Sequence, residues 1–109
     1  MPRAPDRLEL LPAARDDLAA IRDHNEDHYD RIIGAIEDWK RQINWGRIPQ
    51  DQLTYLTGSG PYNFYREWVG RSGYRVIYEI SGDVMTVVAV LPKDENTYDL
   101  EALRRRVDE

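Results

Sequence analysis

The stretch 73-GYRVIYEISGDVMTVVAVLP-92 decides how this chain folds. Tyr74, Val76, Tyr78 and Ile80 alternate with Arg75, Ile77 and Glu79, the period of two that marks a strand with two unlike faces. Val84–Leu91 is a nearly unbroken apolar run, as expected of a strand covered along most of its length. Gly82-Asp83 joins them, and glycine at the first central position fits a type II′ hairpin. Immediately upstream, Tyr62–Val69 is dense in aromatic residues and reads as a third strand, joined through the turn Gly70-Arg71-Ser72-Gly73. The segment therefore predicts three consecutive antiparallel strands.

Further upstream the period changes. Tyr29, Ile32, Ile33, Ile36, Trp39 and Ile43 form one apolar stripe at helical spacing, closed by Gly46 and Pro49. Before it, Pro12 opens a helix that carries Ala14, Leu18 and Ile21 on one side, and the polar run Asp23–Asp27 separates the two helices. Arg7–Leu11 reads as a short first strand, and Leu100–Val107 as a short last helix. Gly46–Pro61 is rich in turn residues, with Leu53, Tyr55 and Leu56 available to pin it to the core. The expected order is β-α-α-β-β-β-α. This is an α+β domain in which a helical hairpin covers one face of an antiparallel sheet and the other face is free to carry a site.

Composition sets the limits. A chain of 109 residues has room for one domain, taken as 1–109. With 41% hydrophobic and 32% charged residues it is too apolar to be disordered throughout. No stretch approaches a membrane span, and MPRAPDRLEL lacks the apolar centre of a secretion signal, so no membrane partner and a cytoplasmic location are expected. The absence of cysteine excludes disulfide frameworks, cysteine-ligated zinc, iron–sulfur clusters and thiol nucleophiles. His24 and His28 have the i, i+4 spacing of a metal pair, but no third ligand is evident, and no metal or other cofactor is expected. The net charge of -5 argues against a generic nucleic-acid coat. Only residues 62–93 lean positive, with Arg66, Arg71, Arg75 and Lys93 against Glu67, Glu79 and Asp83. If an anion binds anywhere, that region is the first place to look, and scatter of surface charge is the alternative.

The strand GYRVIYEI, the Gly-Asp turn, the apolar strand after it and a following tyrosine resemble the C-terminal half of the RelE/ParE superfamily of toxins from bacterial type II toxin–antitoxin pairs. The opening RLELLPAARDDLAAI is similar to the first strand and helix of that superfamily, so the resemblance spans about residues 6–107. It implies a small α+β toxin neutralised by a cognate antitoxin that wraps it. The leading expectation is the activity the resemblance implies for RelE-like members, a ribosome-dependent endoribonuclease that cleaves mRNA by attack of the 2′-hydroxyl on the adjacent phosphate, which needs no metal; the alternatives are two. ParE-like members act on DNA gyrase instead and carry out no such chemistry. A degenerate member would survive only as an antitoxin-binding module.

The resemblance also implies site residues. Arg75 matches the strand arginine of the superfamily, and alternation aims it away from the apolar face of Tyr74, Val76 and Tyr78. A guanidinium there suits a phosphate, and an ion pair with Glu79 on the same face is the structural alternative. Arg66 matches a basic position on the preceding strand, and Tyr98 a tyrosine near the C-terminus that serves as a candidate general acid or base. Lys93 is the cation after the last strand, where active RelE-like members tend to carry arginine or histidine; here Asp94 and Glu95 follow it. Trp68 and Arg71 are candidates for substrate contact, Trp68 by stacking on a base or, alternatively, by packing. Arg104, Arg105 and Arg106 suit ribosomal RNA, the C-terminus of their own helix, or acidic groups of the antitoxin. Glu67 stands where the superfamily tends to be apolar.

Overall fold

The computed structural model describes residues 4–58, 60–92 and 100–108. The strands are β1 (Arg7–Leu10), β2 (Thr54–Tyr55), β3 (Phe64–Val69), β4 (Tyr74–Ser81) and β5 (Val84–Pro92); the helices are α1 (Pro12–His24), α2 (Glu26–Asn44) and α3 (Leu100–Asp108). A 3-10 turn at Pro49–Asp51 follows α2. The helical hairpin breaks at Asn25, whose extended backbone ends α1 and whose side chain accepts the His28 N–H at 3.1 Å to start α2. Gly46 ends α2 at φ 81, and Gly82 supplies the φ of 59 that the β4–β5 hairpin requires.

The five strands lie in the order β1-β5-β4-β3-β2. The pairs β3–β4 and β4–β5 are antiparallel, as alternation and turn chemistry predict. Two features correct the expectation. β1 pairs with β5 in parallel, with Arg7 opposite Val84 and Leu10 opposite Val87, so the sheet is mixed rather than antiparallel. The two residues of β2 extend the far edge beside β3, in a stretch read only as turn.

Alternation sends Val69, Val76, Tyr78, Ile80, Met85, Val87 and Val90 into one core with Leu18, Ile32, Ile36, Trp39 and Ile43 of the helical hairpin. The opposite face is not bare. Phe64, Ile77, Val88 and Ala89 form a second, smaller core with Leu56 and with Leu103 of α3. A bulge makes this possible: Tyr78 pairs with Val87 and Ile77 with Ala89, so Val88 is inserted and turns to the α3 side together with Ala89.

Side chains complete the outer edge of β5 where β1 ends. Val90 N–H donates to Asp17 Oδ2 at 3.0 Å, and Arg106 Nη1 donates to the Val88 carbonyl at 3.0 Å. The two side chains also bond each other, at 2.8 Å and 3.3 Å, and so strap α1 to α3 around the sheet edge.

Candidate functional site

The face opposite the helical hairpin carries the candidate residues that lie in strands. Arg66 and Trp68 point there from β3, because Tyr65, Glu67 and Val69 take the other face. Arg75 points there from β4, directly across from Trp68 in the register. The guanidinium carbon of Arg66 lies 5.0 Å from the centre of the Trp68 ring and that of Arg75 lies 5.3 Å from it. Both are within cation–π range. The indole is 44% exposed, whereas Arg75 is only 3% exposed. The expectation for Arg75 is thus met in its face but not in its accessibility: it is on the side away from the helical hairpin, yet it is buried against Trp68 instead of projecting freely. Beneath the exposed tryptophan lies positive charge, and Arg66 is half-buried beside it.

A cavity of about 340 Å³ adjoins Arg66 and is lined also by Thr54, Tyr55, Leu56, Thr57 and Leu100. Its walls are held from α3: Arg104 Nη2 donates to the Gly58 carbonyl at 2.7 Å and to that of Gly60 at 3.3 Å. Tyr62 donates from its hydroxyl to the Asp108 carboxylate at 2.6 Å, a bond that raises the phenol's pKa. Two of the three consecutive arginines of α3 are therefore engaged within the fold, a use not foreseen from their spacing. Arg71 occupies the exposed β3–β4 turn at φ 66, and its carbonyl accepts from Arg31 Nη1 of α2 at 3.1 Å. Lys93 and Tyr98, like Asp94 and Glu95, lie outside the described residues.

Glu79 follows Arg75 and Ile77 on the same face, and burial raises its carboxyl pKa. Glu67 points the opposite way, into the helical hairpin, which accounts for a carboxylate at an apolar position. Its Oε2 accepts from Trp39 Nε1 at 2.7 Å, and its Oε1 accepts from the Tyr78 hydroxyl at 3.0 Å. Two indicators of this pairing were present in the sequence: a carboxylate alternating with Tyr65 and Val69, and an indole in the stripe of the facing helix.

Among the described residues no group of three or more His, Asp or Glu side chains stands ready to hold a metal. His28 instead packs edge-on against Tyr74, with ring centres 5.9 Å apart. Among the same residues no helix is long and apolar enough to cross a membrane.

A second concavity, of about 260 Å³, lies on the helical side between α1, α2 and β1. Leu10, Leu18, Ala19 and Ile33 give it an apolar floor, and Arg15 and Arg22 flank it. Arg22 lies 5.7 Å from the centre of the Tyr29 ring.

Among solved structures the chain is similar to the crystal structure of the archaeal RelE-RelB complex from Pyrococcus horikoshii OT3, with a TM-score of 0.55 and 20% identity over 82% of this chain and 96% of that one. At that identity the likeness is one of fold. No curated protein matches the chain in sequence. The family described as the ParE toxin of the type II toxin-antitoxin system, parDE, matches residues 8–97, which run from β1 to just before α3 and take in the strand with Arg75 and the helical hairpin packed behind it. The chain belongs to the ParE toxin family of type II toxin–antitoxin systems.

Proposed function

We propose that this toxin acts in the cytoplasm by binding, as a DNA gyrase poison without catalytic chemistry of its own. The observation that carries this reading is the state of Arg75. Phosphoryl transfer needs a charged group that reaches the transferring phosphate. The guanidinium best suited to that task is 3% exposed and lies against the Trp68 ring. What this face offers a partner is a half-exposed indole, with Arg66 and a small cavity beside it. Tryptophan and arginine together are typical anchors of protein–protein contacts. The match to the ParE family supports the same reading.

The cognate antitoxin is assigned to the other side of the molecule. The groove between α1 and α2 is apolar along its floor and flanked by Arg15 and Arg22, which suits an amphipathic segment with acidic flanks.

The second reading is a ribosome-dependent ribonuclease, favoured by the exposed Trp68 ring, which is able to stack on a base of single-stranded mRNA. Purified toxin separates the two. The expected result is inhibition of gyrase supercoiling, with no codon-linked cuts in primer extension on mRNA from expressing cells. Codon-linked cleavage with supercoiling unaffected would reverse the assignment.

A further inference from the structure

The cavity of about 340 Å³ on the α3 side combines one cation, two hydroxyls and an apolar wall. Arg66 of β3 is the cation, and Thr54 of β2 stands directly opposite it in the register, so the two side chains share a face. Thr57 supplies the second hydroxyl, and Leu56 and Leu100 supply the apolar wall. We propose that this cavity receives a carboxylate side chain of the target protein, an aspartate or glutamate that pairs with Arg66 and lays its methylene stem against Leu56 and Leu100. The inference rests on the binding function proposed above and names the chemistry that the target brings to this face.

Size and charge give the class of ligand. The volume is at the small end for ligand pockets, room for one side chain but not for a nucleotide with its neighbours. Arg75, the guanidinium that would join Arg66 on a phosphate, is 3% exposed and does not line the cavity. A single lining guanidinium matches a single carboxylate, which it meets edge-on through parallel N–H bonds. Stacking on Trp68 uses the face of the guanidinium, so five N–H donors serve an incoming carboxylate beside the contacts Arg66 already makes. Glu79 of β4, an acidic side chain on the same face, stands opposite Phe64, two places along from Arg66, and does not line the cavity. The half-exposed Trp68 indole at the rim adds an apolar contact, so the segment recognised is an acidic residue beside an apolar one.

The walls are fixed before any partner arrives. The ring of Trp68, with its centre 5.0 Å from the Arg66 guanidinium carbon, restricts the rotamers of that long side chain. Leu56 N–H donates to the Phe64 carbonyl at 2.9 Å, which ties the β2 side to β3. Beyond Thr57, Arg104 Nη2 holds the Gly58 and Gly60 carbonyls from α3. Groups ordered in advance lose less freedom when a ligand binds, and this separates a built receptor from arginines scattered over a surface.

The test is an NMR titration of the full chain with N-acetyl-glutamate N-methylamide, read at the indole N–H of Trp68, which abuts Arg66. A dissociation constant of about 1 mM is expected for so small a probe. The glutamine counterpart, alike in shape but uncharged, and dimethyl phosphate are each expected to bind about tenfold more weakly. Thr54→Val, at an exposed site, keeps the shape and removes one hydroxyl; it is expected to weaken the glutamate probe about fivefold. Arg66→Gln is expected to abolish the shift. Trp45, 74% exposed and two positions from Arg47, is the internal control and should not respond. Equal binding of the glutamate and glutamine probes, an unaffected Thr54→Val or a matching shift at Trp45 would overturn the proposal. Equal or tighter binding of dimethyl phosphate would overturn it in favour of a nucleic-acid backbone. Supercoiling assays keep the gyrase reading separate. Wild-type toxin that takes the probe and leaves supercoiling unaffected dismisses gyrase but not the cavity; Arg66→Gln toxin that still inhibits supercoiling dismisses the cavity but not gyrase.

Discussion

Against the helical hairpin the sheet presents seven buried side chains from Val69 to Val90, met by a continuous stripe from α2. Against α3 it presents Phe64, Ile77, Val88 and Ala89, met chiefly by Leu56 and Leu103. α2 has 19 residues, enough to lie across the sheet, whereas α3 has nine and leaves the β3 end of its face to Arg66, Trp68 and Arg75. The difference shows how a small domain divides its work. The extensive core tolerates one carboxylate because two donors satisfy it. The restricted core leaves room for cations and an exposed aromatic ring, the groups that the proposed function gives to a partner.

If the helical side carries the stability, its core substitutions should have the largest effects. Ile32→Ala, at a fully buried site, is expected to lower unfolding free energy by about 4 kcal/mol in urea titration. Leu103→Ala, under the short helix, is expected to cost about 2 kcal/mol by the same measurement, since α3 is able to settle toward the sheet. Equal losses would break the contrast between the faces. The strap around the edge of β5 comes next. Asp17→Ala leaves Val90 N–H without its acceptor and takes the carboxylate from Arg106, which keeps the Val88 carbonyl, and a loss of about 1–2 kcal/mol is expected. In a double-mutant cycle Arg106→Ala should add little to it. The smallest stability change and the largest functional one are expected at the same residue. Trp68→Ala should shift stability by less than about 1 kcal/mol, because the ring is half exposed, while growth arrest on induction is relieved. A Trp68→Ala protein that keeps its toxicity would remove the α3 side from the partner contact.

Much of the molecule was legible because it depends on short-range rules. Alternation along Gly73–Ile80 put Arg75 and Val76 on opposite faces, and the structure keeps them there. The helical stripe from Tyr29 to Ile43 and the turn at Gly82 were readable for the same reason. Glu67 was harder: its side of the strand was given by spacing, but its donors come from residues 28 and 11 positions away. The low exposure of Arg75 was out of reach of any local rule, since burial depends on what distant segments lay over a side chain; Trp68, across from it in the register, is one such neighbour. The strap between Asp17 and Arg106 joins side chains 89 positions apart.

The amino-acid pattern by itself determined the three helices and the four longer strands, which side of each is apolar, and that positive charge gathers on one sheet face; periodicity and turn chemistry act over a few residues and need no knowledge of the rest. Only the tertiary structure decided that β1 runs parallel to β5, that a bulge at Val88 builds a second core under α3, and that the central guanidinium is covered while the indole across from it stays open. Those outcomes follow from how distant segments compete for the same edge and the same surface, and that competition has no representation in local spacing.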